Sequence, residues 1–168
     1  MVAALRIAAA LAEAKGASVM IARPSVLFVC RDNAGLSLLA EAVTMHFYPH
    51  VRAFSGATAA PASVDPAALA CLEEAGIASS GLGSKPVEVF GLSGAPRVDV
   101  MVALVEEAHR AARRRPWTHP LRLRGWGFDD VTTLRDPSER LAAYRRLLPD
   151  LREAVTALVE RGLCLRAA

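Results

Sequence analysis

The feature that most constrains the fold is the stretch Ser25–Ala42, in which a short apolar run leads through a turn into a helical pattern. Val26–Val29 holds four consecutive apolar residues, which is typical of a strand buried on both faces. Asn33 and Gly35 supply turn chemistry, and Ser37 is the predicted N-cap of the following helix. The stretch therefore predicts a buried parallel strand, a tight loop and a helix N-terminus in direct succession.

A cysteine, Cys30, lies where this strand ends. In such a loop the backbone N–H groups point inward, and the helix that follows adds partial positive charge at its N-terminus. This geometry lowers the pKa of a thiol and binds an oxyanion. We therefore interpret Cys30 as a candidate nucleophile. The alternative is an inert, buried cysteine at a strand end.

The rest of the chain alternates between strand and helix patterns. Three further segments are predicted strands: Val51–Gly56, Asp99–Val105 and the alternating Leu121–Trp126. Helical patterns separate them: Leu38–Phe47, Pro66–Gly76 and Glu106–Arg114. The sequence therefore predicts an α/β fold of doubly wound, flavodoxin-like type, with a parallel four-stranded sheet and helices on both faces. Ligands of such sheets bind at the carboxyl ends of the strands, which is where Cys30 falls.

The last predicted helix begins at the capping box Asp136–Glu139 and has one apolar stripe. Pro149 lies inside it and is expected to kink or split it, since proline lacks an N–H and clashes with the preceding turn. At the other end of the chain, residues 2–15 are helix formers closed by Gly16. We expect a helical extension over residues 1–24 and one domain over residues 25–168. The extension either covers the sheet or mediates a homodimer.

Composition excludes several classes of function. The net charge of +3 is too small to favour nucleic acid as a partner. The chain has only three cysteines, widely separated, which argues against a disulfide framework and a zinc site and fits a reducing cytoplasm. The four histidines have no spacing typical of metal ligands. No apolar run reaches the roughly 18 residues that a membrane span needs, and we expect no membrane partner.

The stretch around Cys30 resembles the phosphate-binding loop of the low-molecular-weight protein tyrosine phosphatases and the thioredoxin-coupled arsenate reductases. Their pattern is an apolar strand, Cys, five residues, Arg, Ser, and then a helix containing Ala-Glu. Cys30, Asn33, Ser37 and Ala40-Glu41 stand in register with it. The resemblance covers about residues 25–160. It implies an oxyanion-binding loop made of Arg31, Asp32, Asn33, Ala34, Gly35, Leu36 and Ser37. Within it, Asn33 braces the loop and Ser37 donates a hydrogen bond to the leaving thiolate.

The arginine of that pattern is absent, because the sixth residue after Cys30 is Leu36. In the resembling enzymes the arginine binds two oxygens as a fork and lowers the pKa of the thiol. Leucine desolvates the pocket without compensating the charge, which raises the pKa of Cys30. Asp32 adds a negative charge that repels an oxyanion. Arg31 is the candidate substitute cation, and its alternatives are pairing with Asp32 or exposure to solvent.

A general acid is expected to protonate the leaving group. Trp126-Gly-Phe-Asp-Asp130 resembles the arsenate-reductase-like segment Trp-Gly-Phe-Pro-Asp-Pro and implies that Asp130 is this acid. The alternative is an ordinary solvated turn. Ser84-Lys85 also resembles a Ser-Lys pair of the superfamily. Reductases coupled to thioredoxin need further cysteines near the third strand, where Ala103–Glu107 has none.

Three hypotheses about the function remain open at this point. The first is a phosphatase-like or arsenate reductase-like protein whose impaired loop makes it weak or inactive as a phosphatase. The second is an active phosphomonoester hydrolase that uses Cys30 and Asp130. The third is a non-catalytic binding or dimerisation module. In the first two, the ligand is a phosphate-like oxyanion or a phosphorylated substrate, and none of the three needs a cofactor or a metal.

Overall fold

The computed structural model describes residues 23–118 and 121–163. The predicted helix over residues 2–15 and the third cysteine, Cys164, lie outside the described residues. The predicted helical extension and its homodimer therefore remain predictions. In the described part of the chain, no helix combines the length and the hydropathy that a membrane crossing requires.

Four parallel strands form one sheet. They are β1 (Ser25–Cys30), β2 (Arg52–Ala57), β3 (Val100–Ala103) and β4 (Arg122–Gly125). Their order in the sheet is β2-β1-β3-β4, and each neighbouring pair is parallel. This is the order of a flavodoxin-like sheet, so the predicted fold class is confirmed. β1 lies between two neighbours and all six of its residues are buried, as its apolar run indicates.

The described residues form four α-helices: α1 (Leu36–Phe47), α2 (Pro66–Glu74), α3 (Glu106–Arg113) and α4 (Pro137–Ala157). The first three each lie between two successive strands, and α4 follows β4. Three short 3-10 segments lie at Val87–Gly91, Pro116–Thr118 and Val131–Thr133. A π-helical segment, Leu158–Leu163, continues α4. Asp65 and Asp136 cap α2 and α4 through their carboxylates, each followed by a proline at the first helical position, as the sequence predicts.

The two faces of the sheet bury two separate apolar clusters. Alternate residues of β1 enter each cluster, Val26 and Phe28 on one face and Leu27 and Val29 on the other. The first face is covered by α1, α2 and α4, and the second by α3 with the 3-10 segment Val87–Gly91. Helices therefore lie on both faces. The carboxyl end of β1 and the start of α1 meet at one edge of the sheet, where Cys30 lies.

The first helix begins at Leu36, so the prediction that Ser37 is its N-cap is wrong. Gly35 occupies the N-cap position and has no side chain to cap the helix. The hydroxyl of Ser37 instead lies 2.9 Å from the sulfur of Cys30 and accepts a hydrogen bond from Asn33 Nδ2 at 2.8 Å. Those contacts are made within the loop, to residues four and seven positions earlier in the chain, and local capping rules do not register them.

The last helix runs unbroken through Pro149, so the alternative that this proline splits it is wrong. Pro149 is exposed, and the carbonyl that loses its helical partner belongs to Arg145, also exposed. Water can therefore satisfy that carbonyl. Buried residues on both sides of the proline, Tyr144 and Leu151, anchor the helix to one cluster. Packing energy at these positions offsets the missing hydrogen bond.

The loop between β1 and α1 rests on α4 through a tyrosine. Tyr144 is fully buried, and its hydroxyl donates a hydrogen bond to Asp65 Oδ2 at 3.1 Å. A Cβ atom on Gly35 would lie only 1.9 Å from that hydroxyl oxygen. Arg140, one helical turn before Tyr144, places its Nε 3.0 Å from the same carboxylate. Gly35 is therefore required because the backbone approaches the tyrosine too closely for any side chain.

We predict that Gly35→Ala destabilises the fold by about 1–3 kcal/mol, since its methyl group overpacks against Tyr144. Gly83→Ala is the matched control, because a Cβ there meets nothing within 4 Å. That control should change stability by at most about 0.5 kcal/mol. Urea unfolding followed by circular dichroism measures both. Equal stability of the two variants would contradict the close approach.

Candidate active site

The loop of residues 30–36 is held from outside by the segment that follows β2. Its carbonyl groups accept hydrogen bonds from backbone N–H groups of this segment: Cys30 from Thr58, Arg31 from Ala59, Asp32 from Ala62 and Ala34 from Asp65, at 2.8–2.9 Å. With the carbonyls turned outward, N–H groups of the loop turn toward its centre. The sequence shows the turn residues but not this outer wall, because the wall comes from residues 28 or more positions away.

Asn33 holds the inside of the loop. It is fully buried and has a φ of 53°, in the left-handed region that asparagine tolerates better than most residues. Its Nδ2 donates to Ser37 Oγ at 2.8 Å, and its Oδ1 accepts from the Lys85 N–H at 2.9 Å. Its own N–H donates to Cys30 Sγ at 3.2 Å. The bracing role that the resemblance implies for Asn33 is consistent with this geometry.

The thiol of Cys30 lies at the centre of these contacts, with Ser37 Oγ at 2.9 Å. Only 4% of Cys30 is exposed. Burial raises the pKa of this thiol, the hydrogen bonds from Ser37 and Asn33 lower it, and the charge of Asp32 raises it further. The net direction is upward, so the thiol is the stable form of Cys30 at neutral pH. A working nucleophile of this kind is a thiolate.

Asp32 turns its carboxylate toward the loop that it belongs to. Its Oδ1 accepts from the Ala34 N–H at 3.1 Å and lies 3.9 Å from Cys30 Sγ. The carboxylate therefore uses an inward N–H group and places negative charge beside the sulfur. Both effects oppose a second anion at this position.

Leu36 lies in the apolar cluster on the α1, α2 and α4 face and is 4% exposed. As the first residue of α1, it takes the position of the pattern's arginine. Its side chain packs with the core, so it brings no donor to the loop. Burying an arginine there without a partner for its charge would be costly.

Arg31 and Asp130 meet at the edge of the loop. Arg31 Nε lies 3.5 Å from Asp130 Oδ2, and its guanidinium also lies 3.5 Å from Asp32 Oδ2 and 3.2 Å from Thr132 Oγ1. Asp130 accepts from the Thr132 N–H at 3.0 Å and from its hydroxyl at 2.6 Å, and so caps a 3-10 turn. The structure thus brings Asp130 to the loop through Arg31. The side chain of Arg31 is 39% exposed.

A second set of polar side chains supports the loop from the β2 side. Glu41 is buried, accepts from Ser55 Oγ at 2.5 Å and lies 3.9 Å from Lys85 Nζ. Burial raises the pKa of Glu41, while Ser55 and Lys85 lower it. Ser84 donates to the Asp32 carbonyl at 3.2 Å. The Ser84-Lys85 pair therefore joins the loop, whereas nothing in the sequence singled out Ser55.

The described residues offer few partners for metal binding or for thiol exchange. Within residues 23–118 and 121–163, no three His, Cys, Asp or Glu side chains lie together as metal ligands would. Cys30 and Cys71 are both free and buried, and they belong to different apolar clusters.

These features define a class of small α/β proteins built around a cysteine-centred loop. The sheet is parallel, and the cysteine lies at the end of its first strand, inside a loop of inward N–H groups. The chain belongs to the low molecular weight phosphotyrosine protein phosphatase family, whose model matches residues 25–161. The family predicted from the loop is therefore confirmed. The search among curated proteins gave no match.

The solved structures that resemble the chain include arsenate reductases and tyrosine phosphatases. An arsenate reductase in its phosphate-binding state is 26% identical, with a TM-score of 0.61 over 82% of this chain and 98% of that one. The low molecular weight protein tyrosine phosphatase from T. tengcongensis is 21% identical, with a TM-score of 0.66 over 82% and 99%. The thioredoxin-dependent arsenate reductase of Corynebacterium glutamicum is 22% identical, with a TM-score of 0.56 over 88% and 68%. The last two likenesses concern the fold alone.

We predict that Asn33→Ala destabilises the protein more than Asn33→Gly does. Both variants lose the hydrogen bonds to Ser37 and Lys85, but only alanine also carries the cost of a left-handed φ, about 1–2 kcal/mol. The difference between their unfolding free energies in urea isolates that strain. If the two variants are equally stable, the left-handed conformation of residue 33 is not what the loop needs.

We predict that Cys30 titrates above the ordinary thiol value of about 8.5. Its folded pKa is raised, so the contribution of the neutral thiol to stability is full below the unfolded value and is lost as pH rises through the folded value. Asp32→Asn should lower the pKa and Ser37→Ala should raise it. The ¹³Cβ chemical shift of Cys30 against pH measures all three. An inflection below pH 7 in the unmodified protein would contradict the prediction.

Proposed function

We propose that this chain is a low molecular weight phosphatase and arsenate reductase-like protein whose oxyanion loop is impaired, and that it is weak or inactive as a phosphatase. The observation that carries the proposal is the position of Asp32. Its carboxylate accepts the Ala34 N–H and lies 3.9 Å from the sulfur of Cys30. An internal anion thus uses a donor that a phosphate would need.

The charge balance around the thiol supports the same proposal. The negative charge of Asp32 raises the pKa of Cys30. Leu36 supplies a buried methyl-bearing side chain where a guanidinium fork would bind two oxygens. Loss of one oxyanion donor typically costs 10²- to 10³-fold in rate. A cationic arginine on a transferring phosphoryl group is worth about 10³ to 10⁵.

A second candidate function rests on Arg31. Its guanidinium lies 3.5 Å from both Asp32 and Asp130. In an active phosphomonoester hydrolase, Cys30 would lose its proton to solvent and attack phosphorus, and Asp130 would protonate the leaving oxygen as its bond to phosphorus breaks. Arg31 would swing inward to bind the equatorial oxygens, and water would then hydrolyse the phosphocysteine to phosphate and free Cys30. Against this stand its partial exposure and its existing pair with Asp32.

Reduction of arsenate through a relay of cysteines has weaker support. The end of β3, Ala103–Glu107, has no cysteine. Cys71 packs in the cluster on the other face of the sheet from Cys30. An external thiol would therefore have to reduce any adduct on Cys30.

Free thiols at Cys30 and Cys71 favour a reducing compartment, and we propose that the protein is cytoplasmic.

We predict that hydrolysis of p-nitrophenyl phosphate by the unmodified protein exceeds that of Cys30→Ser by less than about tenfold. The double variant Leu36→Arg/Asp32→Asn introduces the guanidinium of the family pattern and removes the carboxylate charge of Asp32. It should therefore raise the Cys30-dependent kcat/KM by at least about 10²-fold. The control is the same pair of substitutions with Cys30→Ser.

Two results would overturn the proposal. One is a turnover of the unmodified protein at least about 10²-fold above Cys30→Ser. In that case Arg31→Ala, compared with the exposed Arg135→Ala, tests whether Arg31 replaces the missing arginine. The other is tight phosphate binding by the unmodified protein, measured as a rise in Tm with phosphate that Asp32→Asn does not increase.

A further inference from the structure

An apolar groove lies far from the loop, where the C-terminal half of α1 meets α2 and α4. Its cavity volume is about 430 Å³. Val43, Phe47, Ile77 and Leu148 line its floor, and Pro149 of α4 borders it. Only Arg152, Glu153 and Thr156 bring charge or a hydroxyl to its edge. The groove is unrelated to the chemistry at Cys30, because α1 separates the two along its length.

The described chain begins beside this groove. The carbonyl of Pro24 accepts from the Arg52 N–H at 2.9 Å, so the chain enters next to the start of β2. The Val51 N–H donates to the carbonyl of Tyr48 at 2.8 Å. The hydroxyl of Tyr48 in turn donates to Thr156 Oγ1 at 2.7 Å, at the edge of the groove. Three hydrogen bonds, joined through residues 48–52, therefore connect the entry point of the chain with the edge of the groove.

The segment before the entry point has the length to reach the groove. Residues 16–22 span at most about 23 Å when extended. A helix over residues 2–15 is roughly 21 Å long. The family model begins at residue 25 and therefore does not include this segment. Its connection to the domain is long enough for the helix to turn back onto the α1, α2 and α4 face.

The composition of the segment suits a buried helix. Leu5, Ala8, Ala9 and Ala12 share one side of the predicted helix, and further apolar residues lie on the opposite side. Within residues 2–15 only Arg6, Glu13 and Lys15 are charged. An apolar side of a helix is stabilised when it packs against another apolar surface. Alanines on its packing side allow a close approach to another helix.

We propose that residues 2–15 form a helix that docks in the groove of its own chain, through the side that carries Leu5. The helix covers half-buried Phe47 and Leu148 and exposed Ala75, and α1, α2 and α4 supply its apolar cover. The docked segment stabilises the domain. It does not take part in the chemistry at Cys30, so this inference is independent of the proposed function.

The test measures urea unfolding of the full chain. Leu5→Ser should lower the folding equilibrium constant by about 10- to 100-fold, the effect of exposing a buried leucine. Arg6→Ser is the matched control on the neighbouring residue and should leave the constant within about threefold. In the groove, exposed Ala75 is replaced by lysine, and Ala78→Lys is the control, since Ala78 is also exposed and does not line the groove.

If the helix docks, Ala75→Lys destabilises the full chain and Ala78→Lys does not. The double variant Leu5→Ser/Ala75→Lys should then lose less than the sum of the single effects. Amide exchange at Val43 and Ile77 should also be faster in Leu5→Ser than in the unmodified chain. Additive effects, or no effect of Leu5→Ser and Ala75→Lys, would overturn the proposal. So would unfolding that depends on protein concentration together with a dimer in sedimentation, because the groove would then bind a second copy.

Discussion

The candidate site depends on one residue, Asn33, more than on any other. Its backbone takes a left-handed conformation, and its buried side chain joins Ser37 in α1 to the backbone of Lys85. The same residue points its N–H at the sulfur of Cys30. One side chain thus fixes the turn, the serine hydroxyl and the donor at the thiol. Loss of any of these contacts leaves buried polar groups unpaired, at about 1–3 kcal/mol each.

Predictions from sequence were correct where neighbouring residues determine the local structure. The apolar run of β1 and the proline that follows each of Asp65 and Asp136 were sufficient for the strand and for two helix starts. They failed where contacts inside the folded loop or the buried core decide. Ser37 has the chemistry of an N-cap, but Cys30 and Asn33 engage its hydroxyl. Pro149 removes one backbone hydrogen bond from α4, but the burial of Tyr144 and Leu151 on either side keeps the helix continuous.

The site itself was foreseen only in part for the same reason. The order of residues in the loop indicated Asn33 and Ser37, and both contact the sulfur of Cys30. The roles that the resemblance implies for them remain predictions. The sequence did not indicate that Tyr144 rests under Gly35, nor that residues 58–65 bind the outward carbonyls of the loop. These partners lie 28 to 109 positions away, and no periodicity connects them. The apolar cluster that contains Leu36 likewise includes residues of α4, which begins about a hundred residues later.

Asp32 and Leu36 make physical sense together. A loop with inward N–H groups must find acceptors for them, and in a phosphate-binding loop a ligand supplies these acceptors. Here the carboxylate of Asp32 accepts the Ala34 N–H, so that donor is satisfied within the chain. Once an internal anion does this, an arginine at position 36 has no dianion to clamp, and its burial would carry a desolvation cost without a partner. Leucine at that position packs instead with the core. Under the proposed function, the two departures from the pattern stabilise one state of the loop, in which its shape does not depend on a bound oxyanion.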